Sequence, residues 1–256
     1  MARNRRPYNY VGIQIIARNT IGSGNQVVGM SLDTNEVDAI TFDSFSTLVD
    51  PHSAQEVIED LVDDPGSLVS EWHPLAVQYA TVANVIDEYS TYFELHRAAL
   101  DDLLRNRGCV LSDEELARLT NVYHQLEPFD DVEWSFGQLT STDFTLAILS
   151  NGDPEMLESL IVTTGIDSLV SATISADEIQ IFKPDKRLYL HAADRLDVNP
   201  EWIVHVGAGW GDVLGANNAG FQTVWVNRCN RPWRSFGPEP DLQVPSLSNL
   251  VTEFRT

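Results

Sequence analysis

At 256 residues with 43% apolar side chains, the chain is long enough for one α/β domain with an inserted subdomain, or for two small domains. No stretch approaches the roughly 20 consecutive apolar residues of a membrane span. The formal net charge of −22 repels nucleic-acid phosphates and anionic lipid surfaces, which excludes both as partners. The two cysteines, Cys109 and Cys229, supply neither a disulfide framework nor a CxxC metal site.

Residues 1–29 hold four arginines (Arg3, Arg5, Arg6, Arg18) and no acid, whereas the remainder carries 12 basic against 38 acidic groups, a net of −26. The segment MSLDTNEVDAITFD from Met30 reads as a natural beginning, so 1–29 is expected to be a disordered upstream extension. The start has basic residues but no continuous apolar run and no small-residue cleavage site, so a cytoplasmic protein without a secretory leader is expected. A dispersed acidic surface repels itself at low salt, and the charge therefore points to a salt-adapted, halophilic host.

From Asp38 onward the elements are readable in order. Ala39–Phe42 is a short buried strand ending on Asp43. Ser53-Ala54-Gln55-Glu56 is a capping-box signature opening a helix to about residue 63. Residues 67–90 and 91–107 have helical spacing, with Pro74 interrupting the first and Gly108 closing the second. Ser112-Asp113-Glu114-Glu115 opens another capped helix through about Leu126. Strands and helices then alternate: strands at 144–149, 169–174, 202–206 and 222–227, and helices opened by Asp153-Pro154, at 185–196 and at 212–219.

Alternation of this kind predicts a parallel sheet covered by helices, with ligands at the carboxyl ends of its strands. The polar residues that follow the strands are therefore the candidates for chemistry. Asp43 is a strand-end carboxylate, followed by Ser44-Phe45-Ser46-Thr47; such an acid is a positioned nucleophile if N–H groups, hydroxyls and a cation satisfy it, and otherwise only caps a loop. Ser150-Asn151-Gly152 brings a hydroxyl and an amide that can bind a carboxylate or oxyanion. Lys183, one of only two lysines, precedes a helix in Phe182-Lys183-Pro184-Asp185, and can neutralise Asp43 or hold an anionic substrate group. Gly207-Ala208-Gly209-Trp210-Gly211-Asp212 ends a strand in a glycine-rich turn that carries an acid.

These segments, in this order, resemble the haloacid dehalogenase superfamily, and within it the L-2-haloacid dehalogenases of type II. The resemblance runs from about Asp38 to the C-terminus. It includes Leu146–Gly152, Lys-Pro-Asp-x-Arg-x-Tyr (Lys183–Tyr189) and Gly-Phe-x-Thr-x-Trp-Val-Asn-Arg (Gly220–Arg228). It implies a Rossmann-like core of residues 30–52 and 128–256, with a helical cap of residues 53–127 inserted after the first strand. It further implies Asp43 as the nucleophile that displaces halide from a small 2-haloalkanoic acid. Lys183 and Asp212 would support it and help activate the hydrolytic water. Thr47, Ser150, Asn151 and Tyr189 would position the carboxylate and the substrate, and no metal would be needed. A homodimer through the cap is also implied.

Several positions separate activities within the superfamily. Its phosphatases carry an acid two residues after the nucleophile, where this chain has Phe45; a phenyl ring cannot protonate a leaving group, whereas halide leaves without a proton. The cap arginine that attracts halide in such dehalogenases falls on His73, a weaker anion site, which could equally be a half-buried cap residue. Phe93 would wall the pocket or fill the cap core. The hydrogen-bonding residues of the last motif fall on Gly207 and Gly209, with Ala208 between them. The alternatives are a Mg²⁺-dependent phosphatase of this fold, with Asp43 and Asp212 as a thin ligand set, and a non-catalytic binding protein.

Overall fold

A computed structural model describes residues 32–60, 62–141 and 144–254; the extension expected at 1–29 lies outside them. Six strands form one parallel sheet: β1 (Ala39–Phe42), β4 (Thr145–Ser150), β5 (Ala172–Ser175), β6 (Ile203–Gly207), β7 (Gln222–Val226) and β8 (Leu242–Val244), in the order β5-β4-β1-β6-β7-β8. β1 sits between β4 and β6, with Phe42 level with Ile148 and Val206. All four of its residues are buried, as apolar and β-branched side chains must be in a parallel strand covered on both faces. The chain winds outward from β1 through β4 to β5, then returns to β6 on the other side of β1. The winding direction thus reverses at β1, and the carboxyl end of such a strand opens into a crevice. Asp43 is the first residue beyond it.

Helices α5 (Val132–Leu139), α6 (Pro154–Thr163), α7 (Lys186–Leu196), α8 (Trp210–Asn218) and α9 (Leu247–Glu253) flank the sheet. Two short strands, β2 (Val49–Asp50) and β3 (Glu127–Pro128), pair antiparallel. Between them lies the helical block, α1 (Gln55–Ile58), α2 (Pro65–Ile86), α3 (Tyr92–Asn106) and α4 (Asp113–Thr120), so the ribbon is the neck through which the chain leaves the sheet and returns.

Three sequence expectations are corrected. The helix opened near Ser53 ends at Ile58, and Asp64 starts a new one by accepting the Ser67 N–H at 3.0 Å ahead of Pro65; a proline at the first turn, capped by an acid, defines a fresh N-terminus. Pro74 does not interrupt α2. The carbonyl it leaves unbonded is that of Ser70, an exposed residue, where solvent removes most of the cost of a helical proline. The helix expected to reach Leu126 gives way after Thr120 to a 3₁₀ turn, Asn121–His124. α5, β8, α9 and the β2–β3 ribbon were not anticipated. They are short, and α5 carries Gly137 and has no side-chain cap, so no local signal marks it.

Candidate active site

The loop after β1 is wound tightly by its own backbone. The Ser44 carbonyl receives the N–H groups of Thr47, Leu48 and Val49, and the Ser46 N–H bonds to the Val49 carbonyl. Ser46 takes a left-handed conformation, φ 68°, which costs a non-glycine residue about 1 kcal/mol. This turn brings the Thr47 hydroxyl back to Asp43, where it donates to Oδ2 at 2.9 Å while accepting the Ala208 N–H at 2.9 Å. Arg228 holds the same loop from outside, donating to the Thr47 carbonyl at 3.0 Å and pairing with Asp131 at 2.9 Å.

Lys183 completes the centre. Its Nζ lies 3.0 Å from Asp43 Oδ1 and 3.2 Å from both carboxylate oxygens of Asp212. The ammonium is 5% exposed and the two carboxylates 15% and 11%, so the charges compensate one another with little help from water. The Lys183 N–H donates to Asn151 Oδ1 at 2.8 Å. The preceding residue, Phe182, is clamped by Asn84 of α2, which bonds its N–H at 2.9 Å and its carbonyl at 2.6 Å. Asp212 is further held by Tyr189, whose hydroxyl donates to Oδ1 at 2.6 Å, and by His205 Nε2, 2.9 Å from Oδ2.

The two carboxylates are driven apart in acidity. Burial, with the Asp212 charge adding to it, raises the Asp43 carboxyl above the ordinary aspartate value in spite of Lys183. Burial acts on Asp212 in the same sense, but His205, Lys183 and Tyr189 outweigh it and hold that carboxyl well below. One group is therefore a poorly satisfied anion with nucleophilic character, and the other a carboxylate that its partners hold ionised at rest.

Above Asp43 the cap supplies a box of rings. Phe45 lies 5.8–6.2 Å, centroid to centroid, from His73, Tyr92, His96 and Tyr123. His73 and His96 stack at 5.6 Å. Burial, with His52 nearby, lowers His73 to about 4, so it is neutral near pH 7. His73 Nδ1, both nitrogens of His96 and the Tyr123 hydroxyl are buried without a hydrogen-bond partner. Unpaired polar atoms clustered in this way are rare in an interior and mark a candidate binding site.

The expected residues are redistributed by these contacts. Asp43, Thr47, Asn151, Lys183 and Asp212 converge. Ser150 is fully buried and its hydroxyl meets Ser44 at 2.5 Å and the Gly152 N–H at 2.9 Å, so it braces the strand ends beneath the site rather than facing a substrate. Tyr189, expected to touch substrate, is fully buried and spends its hydroxyl on Asp212. Phe93 turns toward His124, ring to ring at 5.6 Å. Its neighbour Tyr92 instead faces the site, paired with the Asn151 side chain and within the field of Asp43. Asp153 does not cap its own helix; its carboxylate crosses to the cap and accepts the N–H groups of Tyr92 and Phe93 at 2.7 and 2.9 Å. Tyr92, His96, Tyr123, Asp153 and His205 were missed. The aromatic residues look like helix core, and a histidine inside an apolar strand announces no partner.

A family model described as haloacid dehalogenase-like hydrolase matches residues 37–220. The (S)-2-haloacid dehalogenase 1 of Pseudomonas sp. (strain CBS-3) is 36% identical over 83% of this chain and 94% of its own length, and the (S)-2-haloacid dehalogenase 4A of Burkholderia cepacia is 34% identical over 83% and 92%. Among solved structures, the L-2-haloacid dehalogenase of Xanthobacter autotrophicus, with chloropropionic acid covalently bound, superposes with a TM-score of 0.82 at 25% identity, covering 86% of this chain and 98% of that one.

Proposed function

The chain belongs to the haloacid dehalogenase-like hydrolase family, and from its site we propose that it cleaves the carbon–halogen bond of a small 2-haloalkanoic acid through an ester on Asp43. The observation that carries this reading is the ring of Phe45, 4% exposed and surrounded by His73, Tyr92, His96 and Tyr123. A leaving group there meets apolar faces and neutral N–H and O–H donors, and no carboxylic acid. Halide needs solvation but no proton, whereas an alkoxide leaving from phosphate needs the acid.

In the first step a carboxylate oxygen of Asp43 attacks C2 of the haloacid, the C–X bond breaks, and halide leaves with the bonding pair. The ester so formed removes the negative charge of Asp43. Lys183, no longer shared between two carboxylates, then faces the ester and the substrate carboxylate, with Asn151 and Tyr92 alongside. In the second step the oxygen of water adds to Cγ of Asp43 while its proton passes to the Asp212 side. The bond from Cγ to the substrate-bound oxygen breaks, and that oxygen takes the proton back from Asp212. The 2-hydroxy acid leaves carrying an oxygen that began on Asp43, and the second water proton is lost from the Asp43 carboxyl to solvent. Overall, haloacid and water give hydroxy acid, halide and a proton, with configuration inverted at C2.

No metal or cofactor is part of this reading. The two carboxylates already share an ammonium, and among the described residues no group of three or more His, Cys, Asp or Glu could hold a metal ion, a poor donor set for Mg²⁺. No helix among the described residues is long and apolar enough to cross a membrane. We read the net charge of −22 as salt adaptation in a cytoplasmic enzyme, so assays belong in high salt.

Halide release from 2-chloropropionate or bromoacetate in high salt, compared between the wild-type protein and Asp43→Asn, tests the proposal. Release by the wild type alone, with ¹⁸O from solvent entering Asp43 in a single turnover, is the expected result. Mg²⁺-dependent turnover of a phosphate ester without halide release would sink it, and no turnover at all would favour a binding protein.

A further inference from the structure

We propose that His205 is a positioning residue for the hydrolytic step, setting Asp212 from beneath so that its free lone pairs face the Asp43 ester. This rests on the dehalogenase reading of the site.

His205 occupies the middle of β6, between Val204 and Val206, with no exposure at all. An apolar β-branched residue would be the default in such a strand, and a buried imidazole is costly unless both nitrogens are satisfied. Both are. Nε2 is 2.9 Å from Asp212 Oδ2, and Nδ1 is 2.9 Å from the Thr41 hydroxyl on the neighbouring strand. An ionised carboxylate only accepts, so Nε2 carries a hydrogen toward Asp212, and the Thr41 hydroxyl, which can donate or accept, satisfies Nδ1. Tyr189, edge-on to the imidazole with centroids 5.5 Å apart, fixes the ring plane.

The arrangement divides the lone pairs of Asp212. Tyr189 takes one on Oδ1 and His205 one on Oδ2, while Lys183 spans both oxygens at 3.2 Å. Tyr189 and His205 are fully buried beneath the carboxylate, so what they leave is the side shared with Lys183 and Asp43. When the ester cancels the charge on Asp43 and Lys183 shifts toward the substrate, those lone pairs become available to a water proton without any rotation of Asp212. Gly207 is part of the same device. A Cβ there would lie 2.7 Å from Asp212 Oδ2 and 3.6 Å from His205 Nε2, so a side chain at 207 and the imidazole compete for one carboxylate oxygen.

The test uses the wild-type protein, His205→Leu, His205→Gln, Gly207→Ser and the double variant His205→Ala/Gly207→Ser, with 2-chloropropionate in high salt. Three quantities are read: halide released in the first turnover, steady-state halide release, and the mass of Asp43 in enzyme quenched during turnover. His205→Leu is expected to keep the first-turnover burst within a few-fold, lose about 10- to 100-fold in the steady state, and accumulate the Asp43 ester. His205→Gln, whose amide nitrogen stands the same number of bonds from the backbone as Nε2, is expected to recover most of the loss. The double variant, with a hydroxyl in place of the imidazole, should be faster than Gly207→Ser alone. An unchanged steady-state rate in His205→Leu overturns the proposal. So does an equal fall in burst and steady state without ester, the signature of a merely structural residue. Absence of halide release from the wild-type protein removes the underlying reading of the site and this role with it.

Discussion

Replacing Lys183 by methionine removes the cation that lies 3.0 Å from Asp43 and 3.2 Å from Asp212 and leaves two mostly buried carboxylates facing each other. Breaking a buried pair by deleting one partner costs about 3–5 kcal/mol. Asp212 keeps Tyr189 and His205, which places the expected loss near the lower end, about 3 kcal/mol. For a chain of this size each kcal/mol moves the melting temperature by about 2–4 °C, so a fall of about 6–12 °C is expected. The sign with pH follows from the carboxylates. Without the ammonium the pair retains a proton to higher pH, and the Asp43 carboxyl, already raised, rises further. The destabilisation is therefore full above that raised value and relaxes as pH falls through it and one carboxylate is neutralised. The nucleophile is protonated over the same range, so halide release falls as pH falls through it, at higher pH than in the wild type. Lys183→Met/Asp212→Asn removes one of the two charges and should recover part of the melting temperature but none of the turnover. Thermal unfolding against pH, beside halide release against pH, measures both. A Lys183→Met protein within about 0.5 kcal/mol of wild type, with an unchanged pH–rate profile, would refute the reasoning.

Asp153→Ala leaves the Tyr92 and Phe93 N–H groups at the start of α3 without their acceptor. We expect a loss of about 1–3 kcal/mol, faster hydrogen exchange at those two amides and a higher KM, since Tyr92 is no longer held over Asn151; unchanged exchange would show that the latch is not engaged. In Gly215→Ala the new Cβ would meet the Tyr189 hydroxyl at 2.6 Å and the Pro184 carbonyl at 2.7 Å. Overpacking of this kind costs about 1–3 kcal/mol, and the rate of ester hydrolysis should fall with it because Tyr189 is pushed off Asp212. The rate of alkylation in the wild-type enzyme should decline as pH falls through a value above that of an ordinary aspartate, because burial raises Asp43 and only its ionised form attacks; a rate constant down to the ordinary aspartate range would contradict this.

The core of the sheet and the carboxylate at the end of its central strand were legible because they are written locally. β1, β4, β6 and β7 are short apolar runs with β-branched residues, and polar groups stand at their ends. Parallel strands place those ends along one edge, so Asp43, Asn151, Lys183 and Asp212 could be gathered without knowing a single distance. Cap signals were equally local: Ser112 and Glu115 form the expected capping box. Errors fell where a residue's role depends on what lies across the fold. Asp153-Pro154 has the sequence of a helix start, yet the carboxylate serves another helix because α3 presents two free N–H groups to it. Phe93 and Tyr92 are adjacent, and only the angle at which α3 meets the core decides which one faces Asp43.

By itself, then, the sequence determined the alternation of the central strands and helices, the family and the strand-end carboxylate proposed as the nucleophile, since periodicity and strand-end chemistry are properties of neighbours along the chain. Tertiary structure alone decided the surroundings of that carboxylate: the neutral ring box on Phe45, the ammonium shared with Asp212, and the imidazole of His205 beneath it. Acidity and anion binding arise from burial and from charges brought within about 3 Å by strands and helices far apart in sequence, and those proximities come into being only when the sheet and the cap close on each other.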